Sequence, residues 1–360
     1  MHLIPLESLT RRYFALRPAI GTGAVNFRTS LITTATYLAI PLIICFAAHI
    51  DGTWWMRGGG KGFFQHYGML TIFTTTPIIV ILTALALQKF RLTMDGLHNY
   101  TFLGTVPPDL EKLVAWHVRS LSLRKQSAWL FVLFCLIGFL FGVANIVQTI
   151  SPVKTYGNDV FDAIQYPYGF YFTKLYLCLI WTFSYPVALF IALHITISLV
   201  IILRYMCRHD LLRIDFFHPD NCGGVSIFGS INLLVMTIYA NFFAVLYMLH
   251  VTHATKTYLT VTVPWFGLSF IFIIQSFGAV YHIHKFAAIK RNESLQMIGA
   301  FLNTQMLNLL TEKKFSADLI HARNHLLGLK TYPYAGPALA VVNAIRYVPA
   351  IVAVAKLFIP

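Results

Sequence analysis

Six long apolar segments run along this chain and determine the solvent in which most of it must fold. They cover residues 29–49, 69–88, 128–150, 170–203, 227–250 and 261–284. Each has the roughly 20 residues that a helix needs to cross a bilayer. With 57% hydrophobic and 11% charged residues, the composition is far from that of a soluble domain. The pattern predicts an all-α polytopic membrane protein with about six transmembrane helices plus cytoplasmic amphipathic helices.

The basic residues fall in alternate connections, and this predicts the orientation of the helices. Arginine and lysine are frequent before residue 29, in loops 89–127 and 204–226, and after residue 284, and they are sparse elsewhere. Because basic loops stay inside, we expect both termini and those two loops to be cytoplasmic in a multi-pass inner-membrane protein. The net charge of +14 then reflects topology and contact with anionic lipid headgroups, and we expect no nucleic-acid binding.

The same pattern divides the chain into three regions. Residues 1–28 form a cytoplasmic amphipathic segment, residues 29–284 form the six-span bundle, and residues 285–360 form a cytoplasmic or interfacial helical region. We interpret residues 338–359 as an interfacial or re-entrant helix rather than a seventh crossing. The helical pattern continues after the sixth span as one apolar stripe, which is more typical of packing within the chain than of an oligomer seam. Its members are Leu295, Ile298, Leu302, Met306 and Leu309.

The fourth segment is unusually long. Its 34 residues would span about 50 Å as a helix, against about 30 Å of hydrocarbon. We therefore expect it to tilt, to kink at Pro186, or to extend into the cytoplasm.

The densest polar cluster lies between the fourth and fifth spans. Its candidate gate or ligand residues are Asp215, His218, Pro219, Asp220, Cys222, Gly223 and Gly224. One interpretation is a capped turn, in which Asp220 or Asn221 starts the fifth helix and the glycines let backbones approach closely. A second is a functional loop that gates the protein or contacts a ligand or partner. A third is a metal site, for which His218, Asp220 and Cys222 are weak candidates, because standard zinc signatures pair cysteines or histidines.

The run from His218 to Gly224 resembles a His-Pro-Asp-x-x-Gly-Gly signature of some bacterial multi-span proteins. The resemblance covers seven of the 360 residues. It marks a location in the chain and implies no activity.

The spans contain no Asp or Glu, which argues against proton- or sodium-coupled transport, since such transporters usually carry carboxylates at mid-depth. Neutral polar groups in the spans either bind helices together or line an uncharged path. The candidate pore-lining residues are Thr74, Thr75, Thr76 and His194. The threonines precede Pro77, which frees a backbone carbonyl, and a histidine ring at the depth of His194 should face the bundle interior or a wet cavity.

The leading functional hypothesis is a passive pore or permeability effector, homo-oligomeric and gated from the cytoplasmic side. The alternative is a non-conducting membrane anchor whose C-terminal helices recruit a soluble partner within a multi-component system, such as defence or secretion. The third is a metal-dependent membrane enzyme. Because the sequence indicates no nucleophile elbow, no glycine-rich phosphate cradle and no paired carboxylates on the same side of a cleft, it favours a non-enzymatic role, and we expect no cofactor.

Overall fold

The computed structural model is almost entirely helical over the part of the chain that it describes. That part comprises residues 42–44, 46–47, 49–52, 67–102, 104–121, 129, 132–133, 135–140, 175–220, 222–252, 258–309, 317–328, 331 and 333. Within these ranges there is no strand, and the one isolated β-bridge joins Thr101 to Leu212. The predicted all-α class is therefore confirmed.

Six α-helices are named among the described residues. They are α1 (Tyr67–Asp95), α2 (Pro108–Ser120), α3 (Tyr185–Arg208), α4 (Ser226–Thr252), α5 (Tyr258–Leu309) and α6 (Ala317–Gly328). A 3₁₀ turn at Leu97–Tyr100 follows α1, and a π turn at Ile180–Ser184 precedes α3. The start of α2 fits its sequence, because Pro108 occupies the first helical position and Asp109 and Glu111 lie in the first turn, next to the positive end of the helix dipole.

Three of the described helices are long and apolar enough to cross a membrane. They cover Leu70–Asp95, Leu175–Arg208 and Ser226–Val245, and they correspond to the second, fourth and fifth predicted spans. The first and third spans lie largely outside the described residues. The sixth lies within α5, but most of its side chains are also outside them. The structure thus supports a membrane protein with three candidate spans and does not confirm six.

The long fourth segment deviates from α-helical geometry just before its proline. The main-chain N–H of Tyr185 bonds to the carbonyl of Ile180, five residues back, which widens the helix by one residue in that turn. Gly138 lies against this turn so closely that a Cβ atom on it would overlap the Trp181 carbonyl oxygen and lie 2.7 Å from Pro186 Cγ. The structure thus has a π turn, packed against a glycine, just before Pro186, while the expected tilt, kink or extension stays a prediction.

Helix α5 is the longest element, with 52 residues. At 1.5 Å per residue it is about 78 Å long, more than twice the roughly 30 Å of a hydrocarbon core. The predicted continuation of the helical pattern past residue 284 is confirmed, since α5 runs without a break to Leu309; the sixth span itself stays a prediction.

The chain divides into two compact units. Unit 1 comprises residues 1–89, 116–195 and 237–272, and unit 2 comprises residues 90–115, 196–236 and 273–360. The core of unit 1 includes the buried aromatic residues Tyr176, Tyr185, Phe190 and Phe242. The core of unit 2 includes Phe90, Leu203, Met206 and Phe228.

Candidate functional site

The polar cluster that the sequence singles out lies in unit 2, and we call residues 215–224 the capping loop. The segment that leads into it pairs with the connection between α1 and α2. The N–H of Phe102 donates to the Leu211 carbonyl, and the N–H of Arg213 donates to the Tyr100 carbonyl, each over 2.9 Å. These bonds flank the Thr101–Leu212 bridge and hold the entry to the capping loop in an extended conformation.

The carboxylate of Asp220 organises the capping loop. Its Oδ1 accepts hydrogen bonds from the main-chain N–H groups of Cys222 at 2.8 Å and Gly224 at 3.0 Å. Its Oδ2 accepts one from the N–H of Ser226 at 3.3 Å, and Ser226 is the first residue of α4. Asp220 therefore caps α4 from six residues away rather than from the adjacent N-cap position that the sequence suggests. It ties the loop to the start of a candidate membrane span.

These bonds also determine the charge of Asp220. Burial alone would raise the pKa of this carboxyl. The hydrogen bonds from the backbone of Cys222, Gly224 and Ser226 outweigh that effect and hold its pKa below the ordinary value. The main-chain N–H of Asp220 donates to Nδ1 of His218 at 3.3 Å, and the same ring nitrogen lies 3.0 Å from Oδ1 of Asp220. Asp220 is thus a fixed anion at the amino end of α4, where the helix dipole favours negative charge.

The two glycines permit the turn in different ways. Gly223 and Gly224 have φ angles of 74° and 80°, in the left-handed region that residues with a Cβ adopt only at a cost. A Cβ on Gly223 would lie 2.6 Å from Ile214 Cγ2, whereas one on Gly224 would meet only His218 at 3.5 Å. The Gly223 carbonyl also accepts the N–H of Asp215 at 3.0 Å. Close approach of backbones is therefore required at Gly223.

The first half of the loop is a tight turn built on Asp215. Its Oδ1 accepts the N–H of Phe217 at 3.1 Å, and its main-chain carbonyl accepts the N–H of His218 at 3.1 Å. A carboxylate that binds the backbone two residues on is a common way to form a turn. Pro219 is exposed at the tip. Six of the seven predicted loop residues thus take part in or shape one folded turn, and Pro219 forms its outer edge.

Two helices from the C-terminal region contact this part of unit 2. In α5, Nζ of Lys290 lies 3.0 Å from a carboxylate oxygen of Asp210 and 3.3 Å from one of Glu293. The hydrogen bond to Asp210 is the largest of the effects that raise the pKa of Lys290. In α6, Nε2 of His325 donates to the Phe216 carbonyl at 2.8 Å, since a carbonyl can only accept. The rings of His325 and Phe217 are stacked, with centroids 5.4 Å apart and planes 8° apart.

The metal interpretation receives no geometric support from the described residues. Among them, no group of three or more His, Cys, Asp and Glu side chains could hold a metal ion. The Asp220 carboxylate already accepts hydrogen bonds from backbone N–H groups, and Cys222 is buried.

No family model, no curated protein and no solved structure matches the chain. The function must therefore be inferred from the geometry.

The predicted pore-lining threonines lie on α1 in unit 1. Thr74 is exposed and donates to the preceding turn of its own helix, and Thr75 donates to the Thr71 carbonyl at 2.7 Å. Thr76 is fully buried and donates to the Ile72 carbonyl at 2.7 Å, while its oxygen lies 3.0 Å from the Tyr185 hydroxyl. Because the Thr76 proton is used within α1, Tyr185 donates in that pair. The pair joins α1 to α3.

His194, the fourth pore-lining candidate, contacts His117 of α2. Its Nε2 donates to the main-chain carbonyl of His117 at 3.0 Å. That carbonyl is among the last four of α2, which have no donor within the helix, so His194 caps α2 from α3. His117 itself is buried, and burial followed by the charge of His194 lowers the pKa of His117 to about 4.

The sequence did not single out several residues that complete these contacts. They are His117, Tyr185, Lys290 and His325. Each is joined to its partner across a long stretch of chain, so no local spacing marks it. One signal was available in the sequence: Pro107 and Pro108 precede an apolar pattern of helical period, which indicates a short helix whose last carbonyls need donors.

Proposed function

We propose that this protein is a passive pore or permeability effector of a cell inner membrane, controlled from the cytoplasmic side by the capping loop. The observation that carries the proposal is the Asp220 carboxylate, which binds the loop to the first residue of α4, a candidate membrane span. A movement of the loop therefore acts directly on a helix that is long and apolar enough to cross the bilayer. In this proposal the chain is homo-oligomeric and both termini are cytoplasmic.

The capping loop is held more weakly by α6 than by the Asp220 carboxylate, and this difference supports a role for the loop as a gate. The mostly buried carboxylate of Asp220 accepts two N–H groups within the loop and one from Ser226 at the start of α4. Towards α6 the loop is held by the hydrogen bond and ring stack of His325, both at the surface. A surface hydrogen bond and a ring stack together contribute about 1–2 kcal/mol. At that strength the contact between His325 and the capping loop would be broken in roughly 3–16% of molecules, and a ligand or partner can shift this population.

The side-chain pairs in unit 1 agree with the described conformation being the closed one. The hydroxyls of Thr75 and Thr76 bind carbonyls of their own helix, and Thr76 also pairs with Tyr185. Under the proposal, opening a path at this level separates Thr76 from Tyr185 and lets water replace that contact.

The proposed topology places loops 89–127 and 204–226 and the region after residue 284 on the same side of the membrane. Contacts within unit 2 support this arrangement, because residues 100–102 pair with residues 211–213 and Lys290 pairs with Asp210.

The proposal is tested by ion efflux from liposomes that contain the purified protein. Wild type, His325→Ala and the control His321→Ala, also an exposed histidine of α6, are reconstituted at equal density into vesicles loaded with potassium chloride. We expect efflux above that of empty vesicles, faster for His325→Ala than for the other two. If folded and inserted wild type and His325→Ala both fail to release potassium, the pore proposal is wrong.

One observation favours the recruitment function as a second candidate. Helix α5 continues well beyond a membrane length, and its extension exposes Met297 at 66% and Phe301 at 51% of their surfaces. These residues lie one turn apart on the same face and suit a soluble partner. This candidate predicts that Met297→Ser/Phe301→Ser abolishes the protein's function in cells, with no efflux from liposomes of either wild type or variant.

A further inference from the structure

A group of basic side chains lies in unit 2 where two long helices become polar. Arg204 and Arg208 lie one turn apart near the end of α3, and both are exposed. No Asp, Glu, Lys or Arg occurs between residues 175 and 203, so Arg204 is the first of these charged residues after that apolar run. In α5 none occurs between residues 258 and 284, and Lys285 is the first after it.

The two helices bring these residues together. A Cβ on Gly278 of α5 would lie 3.6 Å from Val200 Cγ2 of α3, so the helices are in close contact at this level. One turn further along each helix are His282 and Arg204. The charges of Arg204, Arg208 and Lys285 all interact electrostatically with the His282 ring. The four side chains therefore form one cluster, which we call the basic patch.

The nearby carboxylates do not neutralise this cluster. Asp210 and Glu293 both bind Lys290, at 3.0 and 3.3 Å. Over the described residues no carboxylate forms an ion pair with Arg204, Arg208, His282 or Lys285. Arg204, Arg208 and Lys285 are exposed, and within the described part of the chain no carboxylate pairs with them; such a concentration of like charge attracts anions.

We propose that the basic patch binds the phosphate of an anionic phospholipid headgroup. Its position supports a lipid, because Arg204 and Lys285 mark the ends of two apolar runs, where headgroup phosphates lie. Arginine suits this ligand because its guanidinium can donate two parallel hydrogen bonds to a phosphate. A lipid bound here would touch α3 and α5 at once and hold them together. The site does not depend on the protein being a pore.

The test uses the full-length protein in a neutral detergent, with binding followed by native mass spectrometry. The probes are short-chain phosphatidylglycerol, short-chain phosphatidylcholine and inorganic phosphate. The variant Arg204→Gln/Arg208→Gln is compared with Lys112→Gln/Arg323→Gln, which removes two charges from exposed positions of α2 and α6. Lys285→Gln provides a second, single change should the double variant fail to fold.

We expect phosphatidylglycerol to bind wild type in preference to both other probes. Each charge removed from the basic patch should weaken that binding roughly fivefold, so the double variant should lose about 25-fold and the control about twofold or less. Equal losses in variant and control, or no loss in either patch variant, would overturn the proposal. Equal binding of phosphatidylcholine, whose headgroup carries a phosphate but no net charge, would show that a net negative headgroup is not required. Equal binding of inorganic phosphate would show that the site takes a free anion, and either result would overturn the proposal.

Discussion

The side chain of His325 in α6 donates a hydrogen bond of 2.8 Å to the main-chain carbonyl of Phe216 in the capping loop. The two residues are 109 positions apart in the chain, and the contact is reinforced by the stack of His325 on Phe217. All of it lies at the surface, in contrast to the Asp220 bonds on the other side of the loop. The loop is therefore tied to the start of α4 through a mostly buried carboxylate and to α6 through surface contacts, and the proposed gating depends on this difference.

Removing the Asp220 carboxylate should destabilise the start of α4. In Asp220→Ala the N–H groups of Cys222, Gly224 and Ser226 lose their common acceptor, and we expect a loss of about 2 kcal/mol in unfolding free energy. Asp220→Asn keeps one acceptor oxygen and should lose less. The control is Asp109→Ala, whose ion pair to Lys112 is long and exposed and should matter little. Thermal unfolding in detergent measures all three, and equal effects of Asp220→Ala and Asp109→Ala would contradict the capping role.

The two glycines of the loop should differ in their tolerance of alanine. Both substitutions carry the cost of a positive φ, about 1 kcal/mol. Gly223→Ala also forces its Cβ against Ile214, whereas Gly224→Ala has ordinary contacts. We therefore expect Gly223→Ala to lower the melting temperature clearly more than Gly224→Ala. The same melting temperature for both would mean that the backbone does not approach Ile214 as closely as described.

His117 should make stability depend on pH between about 6.5 and 4. Its folded-state pKa of about 4 lies below its ordinary value of about 6.5, so the unfolded state takes up the proton first. Stability from this residue is present above about pH 6.5 and is lost as the pH falls toward 4, by up to about 3 kcal/mol. Melting curves from pH 7 to pH 4 should fall more steeply for wild type than for His117→Gln. Parallel curves would show that His117 is not held neutral by the fold.

The buried hydroxyl pair between α1 and α3 should contribute a measurable coupling energy. Thr76→Val and Tyr185→Phe each remove one side of the contact, and the double variant completes a cycle. Polar contacts between membrane helices are worth about 0.6 kcal/mol on average and up to about 1.7, and we expect a coupling in that range. Thr74→Val with Tyr185→Phe is the matched control, because Thr74 bonds only within its own helix. A coupling in the control as large as that of Thr76 would argue against a specific pair.

Local features of the sequence predict much of the loop. An Asp followed by two glycines and an apolar run indicates a turn that caps a helix, and this is the role that Asp220, Gly223 and Gly224 have. The exact bond could not be predicted, because Asp220 reaches Ser226 only through the folded turn. His194 was identified by its depth in an apolar segment, but its partner is a backbone carbonyl, which any residue can supply. Lys290 and His325 contact residues 80 and 109 positions away, and no periodicity encodes such contacts.

The most direct test of the central claim is the open probability of single channels in a planar bilayer. Purified wild type, His325→Ala and His321→Ala are recorded under identical voltage and salt. Because the His325 contact holds the capping loop in the closed arrangement at about 1–2 kcal/mol, its loss should raise the open probability several-fold without changing the unitary current, and His321→Ala should match wild type. A bilayer that stays silent with folded, inserted protein, or an open probability that His325→Ala leaves unchanged, would contradict the account.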